Sequence, residues 1–206
     1  MKEEQDYIQD ITEIRSMMER TSKFLSLSGW AGIMAGIYAL AGAYVAYSIF
    51  DFNPSEIYYS TAGSISSNLL NTIFLSLIIL ILTIGTAIIL SYKKACRSGE
   101  KLWNATAKRL LINMAVPLVA GGLLIIVLIF RGFIGFIAPF TLLFYGLALY
   151  NAGKFTYGEL KSLGLIEISL GLISAYYVDC GLLFWALGFG LLHIIYGIYM
   201  HYRYER

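Results

Sequence analysis

The chain has 206 residues, of which 58% are hydrophobic and only 14% charged, with a mean hydropathy of +0.70. A soluble domain carries about 25% charged residues, so this composition excludes one and points to a single membrane domain whose first partner is the lipid bilayer. A formal net charge of +2 is too small to decide partners by itself, and no nucleic-acid partner is expected.

Residues 1–23 come first. Tyr7, Ile11, Ile14 and Met18 recur at spacings of four and three with charges between them, which predicts a short amphipathic cytoplasmic helix ahead of the membrane domain. Six acids and three bases in residues 1–20 suit a protein surface better than anionic lipid. The nearest complement is the 93–109 connection, with six bases and one acid. A solvated helix at the membrane surface fits the same pattern. No basic n-region of a cleavable signal peptide is present, so the first span is expected to remain as an anchor.

Six apolar stretches follow, at 24–50, 69–92, 110–130, 133–153, 163–178 and 181–202. Each is near the ~20 residues that cross a hydrocarbon core; the fifth is the shortest. The expected fold is therefore all-α, a polytopic bundle of six transmembrane helices.

In the first stretch Gly29, Gly32, Gly36, Ala39, Ala43 and Ala46 recur at spacings of three and four. Small residues at that period let helix backbones approach closely, and association in lipid depends on such van der Waals packing. The seam serves either the bundle itself or a homo-oligomer. The outer connection 51–68, rich in Ser and Tyr, is the one long loop and the place for any external binding surface.

Pro117 and Pro139 fall inside the third and fourth stretches, where each removes a backbone donor and can bend its helix. Pro117 leaves the Asn113 carbonyl without its helical partner, which makes Asn113 a candidate polar lining residue. Glu167 in the fifth stretch and His193 in the sixth are equidistant in sequence from Cys180 at the turn between them, so an antiparallel hairpin brings them to one depth. Glu167 shares a helical face with Gly164, Gly171 and Ser174, and His193 shares one with Ala186, Gly190, Gly197 and His201. An acid at mid-span costs about 2.5–3.5 kcal/mol on insertion scales, so such residues face the bundle and find partners. Titration near neutrality would let the pair relay a proton or gate a conformational change. The competing expectation has Glu167 reaching interfacial water or Lys161 while His193 makes one structural hydrogen bond.

Fourteen of the fifteen Lys and Arg residues lie in 1–23, 93–109, 154–161 and 203–206, and only Arg131 lies on the alternate connections. The positive-inside rule makes those four segments, and hence both termini, cytoplasmic. Cys96 and Cys180 then sit on opposite sides of the membrane, too far apart for a disulfide. Asn104-Ala105-Thr106 matches a glycosylation acceptor but falls in a cytoplasmic connection.

The stretch GEKLWNATAKRLLINMAVPLVAGG at 99–122 resembles an uncharacterised family of small integral membrane proteins of Bacteroidota, a likeness that implies no activity. GLIEISLGLISAYYVDCGLLFWALGFGLLHIIYGIY at 164–199 resembles, in its Gly and Leu spacing, the six-helix acid-resistance membrane protein family of bacteria. These likenesses imply a multi-pass protein of a bacterial inner membrane. No HExxH, paired intramembrane aspartates, CxxC, P-loop or nucleophile elbow is present. The expectation is a non-enzymatic protein with no cofactor and no metal, in a structural, stress-related or partner-binding role. The alternative is a proton-linked small transporter or channel built on Glu167 and His193.

Overall fold

A computed structural model describes residues 27–51, 67–99 and 103–205. The amphipathic helix expected over 1–23 and most of the 51–68 loop lie outside the described residues. Every regular element among the described residues is helical. They are α1 (Gly29–Ser48), α2 (Ser67–Arg97), α3 (Ala105–Phe130), α4 (Ile137–Ala152), α5 (Glu159–Tyr176) and a last helix in three consecutive pieces, α6 (Gly181–Trp185), a π-helical segment (Ala186–Leu192) and α7 (His193–Tyr204).

Among the described residues, five stretches are long and apolar enough to cross a membrane, Gly29–Ser48, Asn68–Arg97, Ala105–Phe130, Ile134–Ala152 and Val178–Tyr204. The protein is thus a helical bundle built for a bilayer. The remaining helix, α5, has 18 residues and carries Glu159, Lys161 and Glu167, which keep it out of that set.

Helix ends differ from the edges of the apolar runs for local reasons. α2 continues beyond residue 92 to Arg97, with Lys94 and Arg97 in its last turn, where cations complement the carbonyl end of the helix dipole. α3 starts at Ala105, ahead of residue 110, because the Asn104 side chain caps it by accepting from the Ala107 amide at 2.8 Å. The Asn-Ala-Thr tripeptide therefore has a folding role. Pro139 is not a mid-helix bend. A 3₁₀ turn over Ile134–Phe136 precedes α4, so Pro139 falls in the first α turn, where a missing amide leaves no intrahelical bond unmade. Gly132, with φ of 77°, supplies the left-handed residue that reverses the chain between α3 and this turn.

Two glycine seams organise the bundle. α1 lies against the last helix: a methyl group at Gly29 would stand 2.6 Å from the Gly197 carbonyl oxygen, and one at Gly36 2.5 Å from the Gly190 carbonyl oxygen. Gly32 abuts Gly197 in the same way, and Ala39, Ala43 and Ala46 continue the buried stripe. The small-residue face of the first span is therefore occupied by the chain's own last helix. The second seam joins α4 to α5, where Gly146 and Gly164 each abut the other's carbonyl and Gly171 packs on Pro139 and Leu143. α2 flanks α1 through Ile79 against Gly42, and α3 flanks α4 through Gly121 against Phe144. The flanking helices expose Ile, Leu, Val and Phe over most of their surface, as lipid-facing helices do.

Candidate functional site

Where α4, α5 and the last helix meet, the bundle buries ionisable groups. The inward face of α5 consists of Leu160, Leu163, Gly164, Glu167, Gly171 and Ser174, a period set by packing against α4. The glycines bring the backbones together, and that closeness leaves Glu167 0% exposed. His193, the first residue of α7, is buried from the other side.

The Nδ1 atom of His193 lies 3.5 Å from Glu167 Oε1. Its nearer partner is the Gly188 carbonyl oxygen at 2.9 Å, which only accepts. Nδ1 therefore carries the ring proton and donates it, and Nε2 is left as an acceptor for the Tyr145 hydroxyl at 2.9 Å. Phe189 stacks on the imidazole at 5.9 Å between centroids, and Tyr145 packs on Phe189 at 4.9 Å. Imidazole position and tautomer are thus fixed by four neighbours on three elements.

Glu167 has no such support. Neither carboxyl oxygen has a hydrogen-bond partner, and Oε2 lies so close to Gly188 that a methyl group there would stand 2.5 Å from it. Ser174, one seam repeat further along, is also 0% exposed, with an unpartnered hydroxyl. A buried carboxyl without partners costs the full desolvation of its polar atoms. Lys161 approaches Gly153 rather than Glu167, so the expected reach of Glu167 towards Lys161 or interfacial water is not what the structure shows.

Asn113 stands apart, donating to the Arg109 carbonyl of its own helix at 2.8 Å. Its side chain is thereby turned along α3. Tyr145 and Gly188, by contrast, were not among the residues expected from sequence. A faint signal existed in two similar segments, LLFYG at 142–146 and LLHIIYG at 191–197, which contribute Tyr145 and His193 to the same contact.

A second polar cluster closes the end of the bundle where α1 begins and α2 and α7 finish. Glu205 Oε1 accepts the Gly29 amide at 2.9 Å and pairs with Lys94 at 3.1 Å, and Oε2 meets His201 Nδ1 at 2.8 Å. Lys94 also donates to the Leu27 carbonyl at 2.7 Å. Ser28, the N-cap of α1, makes no side-chain cap, so Glu205 serves the exposed amide of that helix from the far end of the chain. Partial burial alone would raise the Glu205 pKa. Bonds from His201, Gly29 and Lys94 outweigh it and hold the carboxyl below its ordinary value. Alongside, Tyr204 donates to Glu159 at 2.7 Å and Arg203 pairs with Glu159 at 3.2 Å. Tyr157 is buried and stacks on Tyr204 at 4.3 Å.

No family model matches this chain, and neither a curated protein nor a solved structure matches it. The chemistry of its site must be argued from its own residues. Among the described residues, no three His, Cys, Asp or Glu side chains are grouped to hold a metal ion.

Proposed function

We propose that this is a non-enzymatic, six-span protein of a bacterial inner membrane with both ends in the cytoplasm, and that Glu167 and His193 form the proton site of a small transporter or channel. The observation that supports this reading is the carboxyl group of Glu167, fully buried with both oxygens unpartnered. A residue kept only for packing is better replaced by an apolar side chain, whereas a proton carrier needs an acceptor whose charge the surroundings do not permanently neutralise. Its neighbours leave little volume, since Leu142 and Oε2 already crowd Gly188. That crowding favours a proton over a larger cation.

Reconstitution in proteoliposomes under an imposed pH gradient tests the proposal. Wild-type flux above empty liposomes is expected, with loss in Glu167→Gln and His193→Ala variants that remain folded. Equal flux with and without protein would sink the proton-pathway reading. The orientation has a separate test in the two native cysteines, both free and exposed. A membrane-impermeant maleimide applied outside intact cells should label Cys180 and spare Cys96 until the membrane is opened. The reverse order would invert the topology.

A second reading, a structural, stress-related or partner-binding protein, draws on the Lys94–Glu205 cluster and on the exposed bases Lys93, Arg97, Lys108 and Arg109. There the partner is a cytoplasmic protein or a second copy of the chain, engaging the N-terminal segment or the 93–109 connection. Removal of residues 1–20 would abolish capture of that partner and leave ion flux untouched.

A further inference from the structure

Beside the buried pair, the last helix leaves α geometry over Ala186–Leu192. π-helical turns are rare and concentrate at functional sites. In such a turn each carbonyl is paired with the amide five residues on, so the carbonyl of residue 188 is aimed at the amide of residue 193. Here the His193 amide bonds the Gly190 carbonyl, and the imidazole Nδ1–H of the same residue takes the Gly188 carbonyl at 2.9 Å. The ring thus bonds a carbonyl of the π ladder itself, and the histidine side chain becomes part of what holds the π segment.

We infer that Gly188 and Glu167 are alternative acceptors for the His193 Nδ1–H, and that exchange between them, driven by proton gain and loss at Glu167, resets the π segment against α1. This rests on the proton-site reading. Hydrogen bonds to an ionised carboxylate are roughly twice as strong as those between neutral groups, with N···O near ~2.8 Å. Glu167 Oε1 waits at 3.5 Å. Loss of the carboxyl proton draws Nδ1–H from Gly188 to Oε1, and its return sends Nδ1–H back. The nearer acceptor in the structure is Gly188, the arrangement that an uncharged carboxyl leaves.

When Nδ1–H departs, the Gly188 carbonyl loses its side-chain donor, and the pairing of the segment readjusts around it. That change cannot stay local. Gly190 lies where a methyl group would stand 2.4 Å from Leu40, and its carbonyl abuts Gly36, so α1 follows any change in register. The titratable groups facing His193 are Tyr145 from α4 and Glu167 from α5. α1 presents Gly32 to its backbone and the π segment presents Phe189, neither of which titrates. Glycine at 188 is part of the device, because any side chain there would strike Glu167 Oε2.

The chain has only two histidines, His193 and His201, so ¹⁵N-histidine NMR of the full-length protein in lipid nanodiscs, assigned with a His201→Gln variant, observes the ring directly. The expected result is an Nδ1–H tautomer whose Nδ1 resonance moves with pH, while amide hydrogen exchange over 188–193, corrected for intrinsic rates, changes across the same range. Glu167→Gln should hold both signals at one value. An Nε2–H tautomer, a pH response that survives Glu167→Gln, or exchange that stays constant while the ring signal moves would each overturn the inference. If the Gln variant does not fold, the coincidence of the two wild-type titrations decides. An intact exchange without flux would sink the transport reading alone, and flux without the exchange would sink only this inference.

Discussion

Among the described residues are two glutamate–histidine pairs, and they are built in opposite ways. Glu205, whose side chain is 12% exposed, has both oxygens engaged: one by the Gly29 amide and Lys94, the other by His201. Glu167 is more deeply buried, yet its oxygens have no hydrogen bond, and its histidine gives the nearer contact to Gly188. The contrast separates two uses of one chemistry. A carboxylate whose lone pairs are filled ties α1, α2 and α7 together. One left unfilled in a buried seam is a cost to the fold, and such costs persist where the group does something else.

That distinction can be broken by substitution. The largest effect is expected at the filled site: Glu205→Ala removes the acceptor for the Gly29 amide and the counter-charge of Lys94. Charge-assisted bonds contribute about 1.5–3 kcal/mol when buried, and the residual exposure reduces this, so a loss of about 2 kcal/mol is expected in SDS-titration unfolding from detergent micelles. A variant as stable as wild type would mean that the cluster is a solvated surface ion pair of negligible worth.

The opposite sign is expected at the unfilled site. Glu167→Met has a similar reach and no polar atoms to desolvate, and a buried polar group without a hydrogen bond costs about 1–3 kcal/mol that an apolar side chain does not. With the seam glycines unchanged, a gain of about 1 kcal/mol should appear in the same titration, together with loss of any proton flux. Destabilisation would reveal a partner for Glu167 and erase the contrast with Glu205.

How far these arrangements could be anticipated follows from what sets them. The α1 seam was legible because Gly29, Gly32, Gly36, Ala39 and Ala43 repeat along one helix, and a period needs no knowledge of the partner. Convergence of Glu167 and His193 was legible from a short antiparallel hairpin, in which equal numbers of residues from the turn climb to equal depth. Tyr145 was not, since it comes from α4, outside that hairpin. The bond between Gly29 and Glu205 spans the length of the chain, and no local pattern announces it. The π segment escaped for another reason: Ala186–Leu192 has the composition of an ordinary apolar helix, and its distinction lies in which carbonyl the His193 ring chooses. Helix ends at Arg97 and Ala105 were displaced from the hydropathy edges because capping and dipole chemistry, not apolarity, decides where a helix stops. Among the described residues, six helices stand where the apolar stretches predicted them, while the spanning role of α5, with its three charged residues, remains part of the proposal.

The smallest effect is a difference in pH dependence, and it probes the filled site alone. The Glu205 pKa is held below its ordinary value in the folded protein by His201, Gly29 and Lys94. A carboxyl depressed on folding contributes stability that is fully present above its unfolded value, about 4.3 for glutamate, and is lost as pH falls through the folded value. The contribution therefore disappears on the acid side, below about the unfolded value. Other carboxylates titrate in the same range, so the informative quantity is the difference in stability between wild type and Glu205→Gln as a function of pH. That difference should shrink below about the unfolded value, as acid protonates Glu205 and makes the wild type resemble the variant. A difference that grows below that value would require folding to raise the Glu205 pKa, as desolvation does in the absence of partners. The two pairs would then be alike in kind, and the filled site would hold the helices by packing rather than by charge.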